Sequence, residues 1–300
     1  MKKNKKRNKI ILKCLKAITI FFIFTMVLAF IVQLNEPKLE KLNSSVSTRY
    51  LEMPSGYYIG NVSLSEISGK GSFYFDTGEI YEGQWKDNEM NGKGKFTYTT
   101  GVYEGDFSNS KRNGQGTFTW TDGSTYKGAW ASDKLSGEGT LTFGGVIYEG
   151  TFSDNKFISG TITLQREKGT YKFAAVDGSL TNQIEVIFVS GVTYKGEYSG
   201  TTISGSGIMT FPNVGEYKGS FSEGKRNGEG TFTWNDGVKY AGNWSNDIMD
   251  GEGTYFLDNL TYIKGKFEKG KLNGTYTYRN ENGYYKTTWS NNKCTAIEEE

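Results

Sequence analysis

The chain has 300 residues, including 40 glycines, 3 prolines and no histidine, and aromatics make up 15% of it. Glycine at that level without proline is neither collagen-like nor typical of disorder, and periodic glycine and aromatic residues suggest a repetitive β architecture. The lack of histidine removes the commonest general base and metal ligand. The net charge of +2 conceals a split, because residues 1–16 carry eight of the 35 bases and no acid, leaving 27 bases against 33 acids in the remainder. That mildly acidic body argues against a nucleic-acid partner.

Residues 1–16 read as a basic cytoplasmic head. Residues 17–35, AITIFFIFTMVLAFIVQLN, carry no charge; as a helix they would reach about 28 Å, close to a hydrocarbon thickness of about 30 Å. A signal peptide would have a shorter apolar core and a small-x-small cleavage site. This run ends in Val32-Gln33-Leu34-Asn35-Glu36, and Cys14 precedes it, which excludes a lipoprotein cysteine. The expectation is a retained transmembrane helix in the cell membrane, with the N-terminus cytoplasmic and the remainder extracytoplasmic by the positive-inside rule. Residues 36–56, with Pro37, Pro54 and Ser44-Ser45, read as a polar stalk.

A repeat fills residues 57–290. Its leading aromatics are placed at Tyr58, Tyr81, Tyr103, Tyr126, Tyr148, Tyr171, Tyr194, Tyr217, Tyr240, Tyr262 and Tyr285, every gap being 22 or 23 residues. A Gly-x-Gly pair recurs with them, from Gly69/Gly71 and Gly92/Gly94 to Gly228/Gly230 and Gly251/Gly253. The unit around Tyr171 (YKFAAVDGSLTNQIEVIFVSG) lacks both glycine signatures, and the array is degenerate over about 160–190. The last unit is degenerate too, as a cap would be, and 291–300 form an acidic tail. KRNGQGTFTWTDG at 111–123 returns as KRNGEGTFTWNDG at 225–237, an offset of 114 residues that suggests duplication of a five-unit block.

Within Tyr81-Glu82-Gly83-Gln84-Trp85 the rings and glycine share one parity and the polar residues the other, the period of a β-strand with one apolar face. Turn lengths then fix the register. A three-residue Thr121-Asp122-Gly123 loop, with glycine at the left-handed position, pairs Phe118 with Tyr126, Gly116 with Gly128 and Gly114 with Trp130. The Thr99-Thr100 connection pairs Phe96 with Tyr103, Gly94 with Gly105 and Gly92 with Phe107. A six-residue loop after Trp85 would pair Trp85 with Gly92 and Tyr81 with Phe96. Three rows follow: alternating Tyr and Phe, then glycine, then Trp or Phe alternating with Gly. Rings from the outer rows would cover the bare glycine backbone. The expected fold is all-β, an elongated single-layer antiparallel hairpin ribbon preceded by one transmembrane helix, gaining about 9.6 Å per unit and on the order of 100 Å in all.

The pattern Tyr-Glu-Gly-x-Trp, a turn, then Gly-x-Gly-x-Phe and Asp-Gly resembles the MORN (membrane occupation and recognition nexus) repeat, most clearly in YEGQWKDNEMNGKGKF and YKGSFSEGKRNGEGTFTWNDG. The resemblance covers about 57–290 and departs at the Tyr171 unit. It implies an elongated scaffold, dimerisation surface or membrane-apposition module, with any catalysis carried by an appended domain. None is apparent in this sequence.

Candidate chemistry is sparse. Glu82, Glu104 and Glu149 recur at one outward position, but Lys127, Lys195 and Lys218 take the same place, the sign of a solvated strand face. Asp87, Asp122, Asp154, Asp236 and Asp247 are turn residues, at a spacing too sparse for a calcium loop. Gly-x-Gly here lacks the third glycine and following helix of a phosphate cradle. Cys14 and Cys294 stand at opposite ends and make neither a zinc cluster nor a disulfide framework. No catalytic, cofactor or metal residue is expected. The candidate interaction residues are the basic tips Lys111, Arg112, Lys225 and Arg226, suited to acidic lipid headgroups or wall polymers, and the rings Trp85, Trp130 and Trp244, a stacking platform for a glycan or apolar ligand. The expected function is a membrane-anchored, non-catalytic scaffold for a protein partner or for self-association at the cell envelope. The alternative is a module binding lipid headgroups or envelope polysaccharide.

Overall fold

The computed structural model describes residues 47–63 and 66–299. The expected head, the transmembrane helix at 17–35 and the start of the stalk lie outside the described residues. Among those described, no helix is long and apolar enough to cross a membrane. The described elements are 24 β-strands. They fall into two compact units, one holding the described residues up to Ile162 with Ala175–Ser179, the other Thr163–Ala174 and everything from Leu180 onward. The division falls in the irregular stretch around Tyr171.

In the first unit ten strands, from Ser47–Met53 to Val146–Ser153, each pair antiparallel with the next in sequence. Ser47–Met53, within the expected stalk at 36–56, is a strand. Its Leu51 lies opposite Tyr58 and Met53 opposite Gly56, so period-2 alternation begins before the first tyrosine of the repeat. The strands from Ser179–Phe188, whose first residue falls in the first unit, to Lys293–Glu299 pair likewise, except that Lys271–Leu272 and Gly274–Asn280 both pair with Tyr262–Glu268. Here the expected tail is itself a strand, Lys293–Glu299, paired with Gly283–Ser290.

The short turns set the register as counted. Phe118 pairs with Tyr126, Gly116 with Gly128 and Gly114 with Trp130; Phe96 pairs with Tyr103, Gly94 with Gly105 and Gly92 with Phe107. Gly123 takes the left-handed conformation (φ 84°) and its N–H donates to the Trp120 carbonyl at 3.0 Å.

The turn after Trp85 corrects the third row. Tyr81 does pair with Phe96, but Trp85 pairs with Met90, not Gly92. Asp87 (φ 51°) and Asn88 (φ 64°) both enter the left-handed region, making a two-residue hairpin turn in place of a six-residue loop. The surplus residues form a bulge at Asn91–Lys93 that needs Gly92 at φ 78°. The same turn and glycine bulge recur at Asn109-Ser110, Ser132-Asp133 and Asn246-Asp247, and the turn is repeated at Asp154-Asn155. The ring of the third row is therefore flanked by glycine on one side and by Met90, Arg112 or Leu135 on the other.

A second correction concerns Tyr262. Tyr255 pairs with Ile263 and Gly253 with Gly265, so Ile263 holds the leading position and Tyr262 has the opposite parity. The ring over Gly265 comes instead from Tyr276.

The core of each unit is the packing of tyrosine on glycine. A Cβ on Gly83 or Gly94 would stand 2.3–2.7 Å from atoms of the Tyr81 ring, and one on Gly105 or Gly116 would meet Tyr103 equally closely. Tyr58, Tyr81, Tyr103, Tyr126, Tyr194, Tyr217 and Tyr240 are fully buried in this way. Each hydroxyl donates to the carbonyl three residues on, as Tyr81 to Gln84 at 2.8 Å and Tyr194 to Glu197 at 2.7 Å. That acceptor lies where the bulge interrupts the ladder. This is why the position asks for tyrosine and not phenylalanine. Trp85, Trp130 and Trp244 donate from Nε1 to the carbonyls of Gly71, Gly116 and Gly230 at 3.1–3.2 Å.

Hairpin tips also bond backwards. The Asn88 N–H donates to the Ile67 carbonyl at 3.0 Å while its side chain accepts the Ile67 N–H at 2.8 Å. Asp133 does the same for Arg112, Asn155 for Leu135, Asp247 for Arg226 and Asn292 for Leu272.

Candidate functional site

The aromatic face is closed by its own packing. Trp85, Trp130 and Trp244 are buried, with 4–5% of their surface exposed. Tyr103 meets Phe107 and Trp130 edge-on at 5.1 and 5.3 Å, and Tyr217 meets Phe221 and Trp244 at 5.1 and 5.3 Å. Burial pushes the hydroxyls of Tyr58, Tyr126, Tyr194, Tyr217 and Tyr240 up to about 12 and raises those of Tyr81 and Tyr103 further. These groups are neutral structural donors at physiological pH.

The two KRNG tips divide their charges. Arg112 lies 4.3 Å from the Trp130 ring centroid, and its Nε donates to Asp133 Oδ1 at 3.1 Å and its second guanidinium nitrogen to the Asp133 carbonyl at 2.9 Å. Arg226 repeats this with Trp244 at 4.3 Å and Asp247 at 3.1 Å. Only 14% and 19% of these side chains is exposed, so both guanidinium groups serve the fold. Lys111 and Lys225 are exposed at the tips. The structure thus brings Arg112 together with Trp130 and Arg226 with Trp244, and leaves Lys111, Lys225 and Trp85 apart from those clusters.

The polar face carries the open surface. In the second unit a groove of about 950 Å³ runs across the strands over the backbone of Gly196, Gly207, Gly219, Gly230, Gly242 and Gly253. One wall holds Lys195, Ile208, Lys218, Thr231, Thr254 and Lys264; Glu229, Asn243 and Glu252 rise from the other. The strand pairings confirm the two rows, with Lys218 opposite Thr231 and Thr254 opposite Lys264 in one, and Glu229 opposite Asn243 in the other. The side chains of Lys195, Lys218, Lys264, Glu229 and Glu252 are exposed and make no hydrogen bond or ion pair among the described residues. Glu185, opposite Lys195, is 4.0 Å from Lys172. The first unit differs, because its polar face pairs Lys93 with Asp106 at 2.8 Å and Lys95 with Glu104 at 3.8 Å.

Sequence reasoning treated these outward charges as a solvated face and missed the groove. The signal was present: the position that reads Glu82, Glu104, Lys127 and Glu149 in the first unit reads Lys195, Lys218, Ala241 and Lys264 in the second. Among the described residues no group of three or more His, Cys, Asp or Glu is placed to hold a metal ion.

Six segments match the MORN repeat: residues 81–102, 103–125, 126–145, 194–213, 217–239 and 240–260. Three fall in each unit and none in the irregular stretch, and such repeats suggest a repeat-based interaction or scaffold module. Comparison with curated proteins gives no match. Among solved structures the chain is similar to the SAS-4 (dCPAP) TCP domain of Drosophila melanogaster, solved with a proline-rich motif of Ana2 (dSTIL), at 12% identity over 68% of this chain and 95% of that one. The TM-score of 0.25 is too low for that likeness to inform function.

Proposed function

We propose that this chain is a membrane-anchored, non-catalytic scaffold whose repeats bind a protein partner at the cell envelope. The observation that carries the reading is the division of labour between the faces. The repeat signature is consumed in packing Tyr103 on Gly105 and Gly116 and Arg112 on Trp130, while the polar face of the second unit presents unpaired charges of both signs along a groove. A stacking platform for glycans would need open rings, and the three tryptophans are covered. The uncharged run at 17–35 behind eight bases supports an anchor with the repeats on the outer side.

In-cell crosslinking followed by affinity purification tests the scaffold. A defined protein should be recovered with the native chain and lost after charge reversal at Lys218 and Glu229. Recovery of envelope lipid or polysaccharide without protein would instead support the alternative of a headgroup or glycan module. Orientation is checked separately in a Cys14→Ser variant, where Cys294 should react with a membrane-impermeant thiol reagent on intact cells.

A further inference from the structure

We propose that the groove in the second unit binds a polyproline II segment of a partner protein, with acidic side chains along one flank and basic side chains along another. The proposal rests on the scaffold reading and deepens it by naming the conformation and charge pattern of the segment. Its first support is the two-sided charge. Lys195, Lys218 and Lys264 all stand in one wall, and Glu229 and Glu252 in the other. A uniform polyanion would meet the glutamates and a polycation the lysines, whereas a polypeptide can carry both signs on different flanks.

The second support is spacing. Lys195 and Lys218 are two strands apart, Lys218 and Lys264 four, and Glu229 and Glu252 two. At about 4.8 Å per strand these separations are about 9.6, 19 and 9.6 Å. A polyproline II helix has three residues per turn and rises about 3.1 Å per residue, so residues i, i+3 and i+9 share a flank at about 9.3 and 28 Å from the first. The lysine wall asks for about 9.6 and 29 Å. An α-helix offers same-face residues about 10.5 and 27 Å away at i+7 and i+18, each further from the lysine spacing than the polyproline II values. A β-strand offers about 6.6 or 13 Å on one face. The third support is length. Lys195 to Lys264 spans six strand steps, about nine or ten residues of polyproline II. Such a segment gives up little conformational freedom on binding.

The test uses the purified full-length chain and fluorescein-labelled twelve-residue peptides read by fluorescence anisotropy. The probe peptide is four Glu-Lys-Pro triplets. The comparison peptide has the same composition, ordered so that glutamates do not recur every third residue. The expected result is saturable, salt-sensitive binding of the triplet peptide, at least about 10-fold tighter than the reordered one. The Lys218→Glu/Lys264→Glu variant should lose at least about 10-fold, as should Glu229→Lys/Glu252→Lys, while Lys70→Glu in the first unit should bind normally. Equal binding of both peptides, or equal binding of a peptide of Glu-Pro-Pro triplets, overturns the proposal, because the groove would then be a general anion site. No detectable binding of the triplet peptide also overturns it. If no peptide binds yet the crosslinked partner of the preceding section persists, the groove proposal fails alone. If phosphatidylglycerol vesicles bind and Lys218→Glu/Lys264→Glu abolishes that binding, both readings fail together.

Discussion

Gly116→Ala puts the tyrosine-on-glycine core to a direct test. The added methyl would stand 2.3 Å from the Tyr103 hydroxyl and 2.4 Å from two ring carbons. Tyr103 is fully buried and bonded to the Asp106 carbonyl at 3.0 Å. Two relaxations are open. If the ring leaves, it exposes about 150–250 Å² of surface, worth about 4–6 kcal/mol, together with a hydrogen bond of about 1 kcal/mol. If the ring stays and the strands part, the cost is that of overpacking, about 1–3 kcal/mol. The smaller cost sets the expectation, a loss of about 1–3 kcal/mol. Repeat arrays need not unfold in one step, so the assay is hydrogen exchange of peptides covering 101–120, which reports local opening. Gln115→Ala, on the polar face beside it, should change exchange by less than about 0.5 kcal/mol. Tyr103→Leu should make room for the methyl, so the double variant should lose less than the sum of the singles. If Gly116→Ala and Gln115→Ala exchange alike, the ring does not depend on bare backbone and the account of the core fails.

Arg112→Lys should destabilise the first unit by about 1–2 kcal/mol, since lysine keeps the charge but loses the planar stack on Trp130 and the fork onto Asp133; Lys111→Ala should be silent in the same denaturation series. Asn88→Ala should cost about 1–2 kcal/mol, from strain at φ 64° and the lost bond to Ile67, while Asn88→Gly should recover the strain component in the same exchange assay. The buried tyrosines at about 12 ionise near 10 in the unfolded chain. The fold favours their neutral form, so stability is intact below about pH 10 and falls as pH rises towards about 12. Circular dichroism should then report unfolding together with tyrosinate absorbance, and full ionisation of a still-folded chain would contradict the burial.

How much of this could be read beforehand depended on where the count of residues is decisive. The pairs Phe118–Tyr126 and Phe96–Tyr103 follow from the lengths of short turns. Trp85 was misplaced because Asp87-Asn88 can enter the left-handed region as a pair, which shortens the turn and moves the surplus into a bulge. Tyr262 was misplaced because residue type outweighed parity, although Gly265 and Phe267 point to Ile263. Arg112 and Lys111 look alike as a basic pair, and only the bulge geometry sends one over Trp130 and the other into solvent. The groove was hidden for a different reason. Lys195, Lys218 and Lys264 share one repeat position within the second unit, but single outward charges there are also what a solvated strand face carries.

The backward bonds of the hairpin tips give assembly a direction. Ile67 has its N–H and carbonyl completed by Asn88, 21 residues later, and Leu272 waits for Asn292. During synthesis the hairpin that has just emerged is therefore the unfinished one. It offers unpaired backbone to whatever is nearest until the next tip arrives. A chain cut before Asn292 would leave the N–H and carbonyl of Leu272 without the tip that completes them.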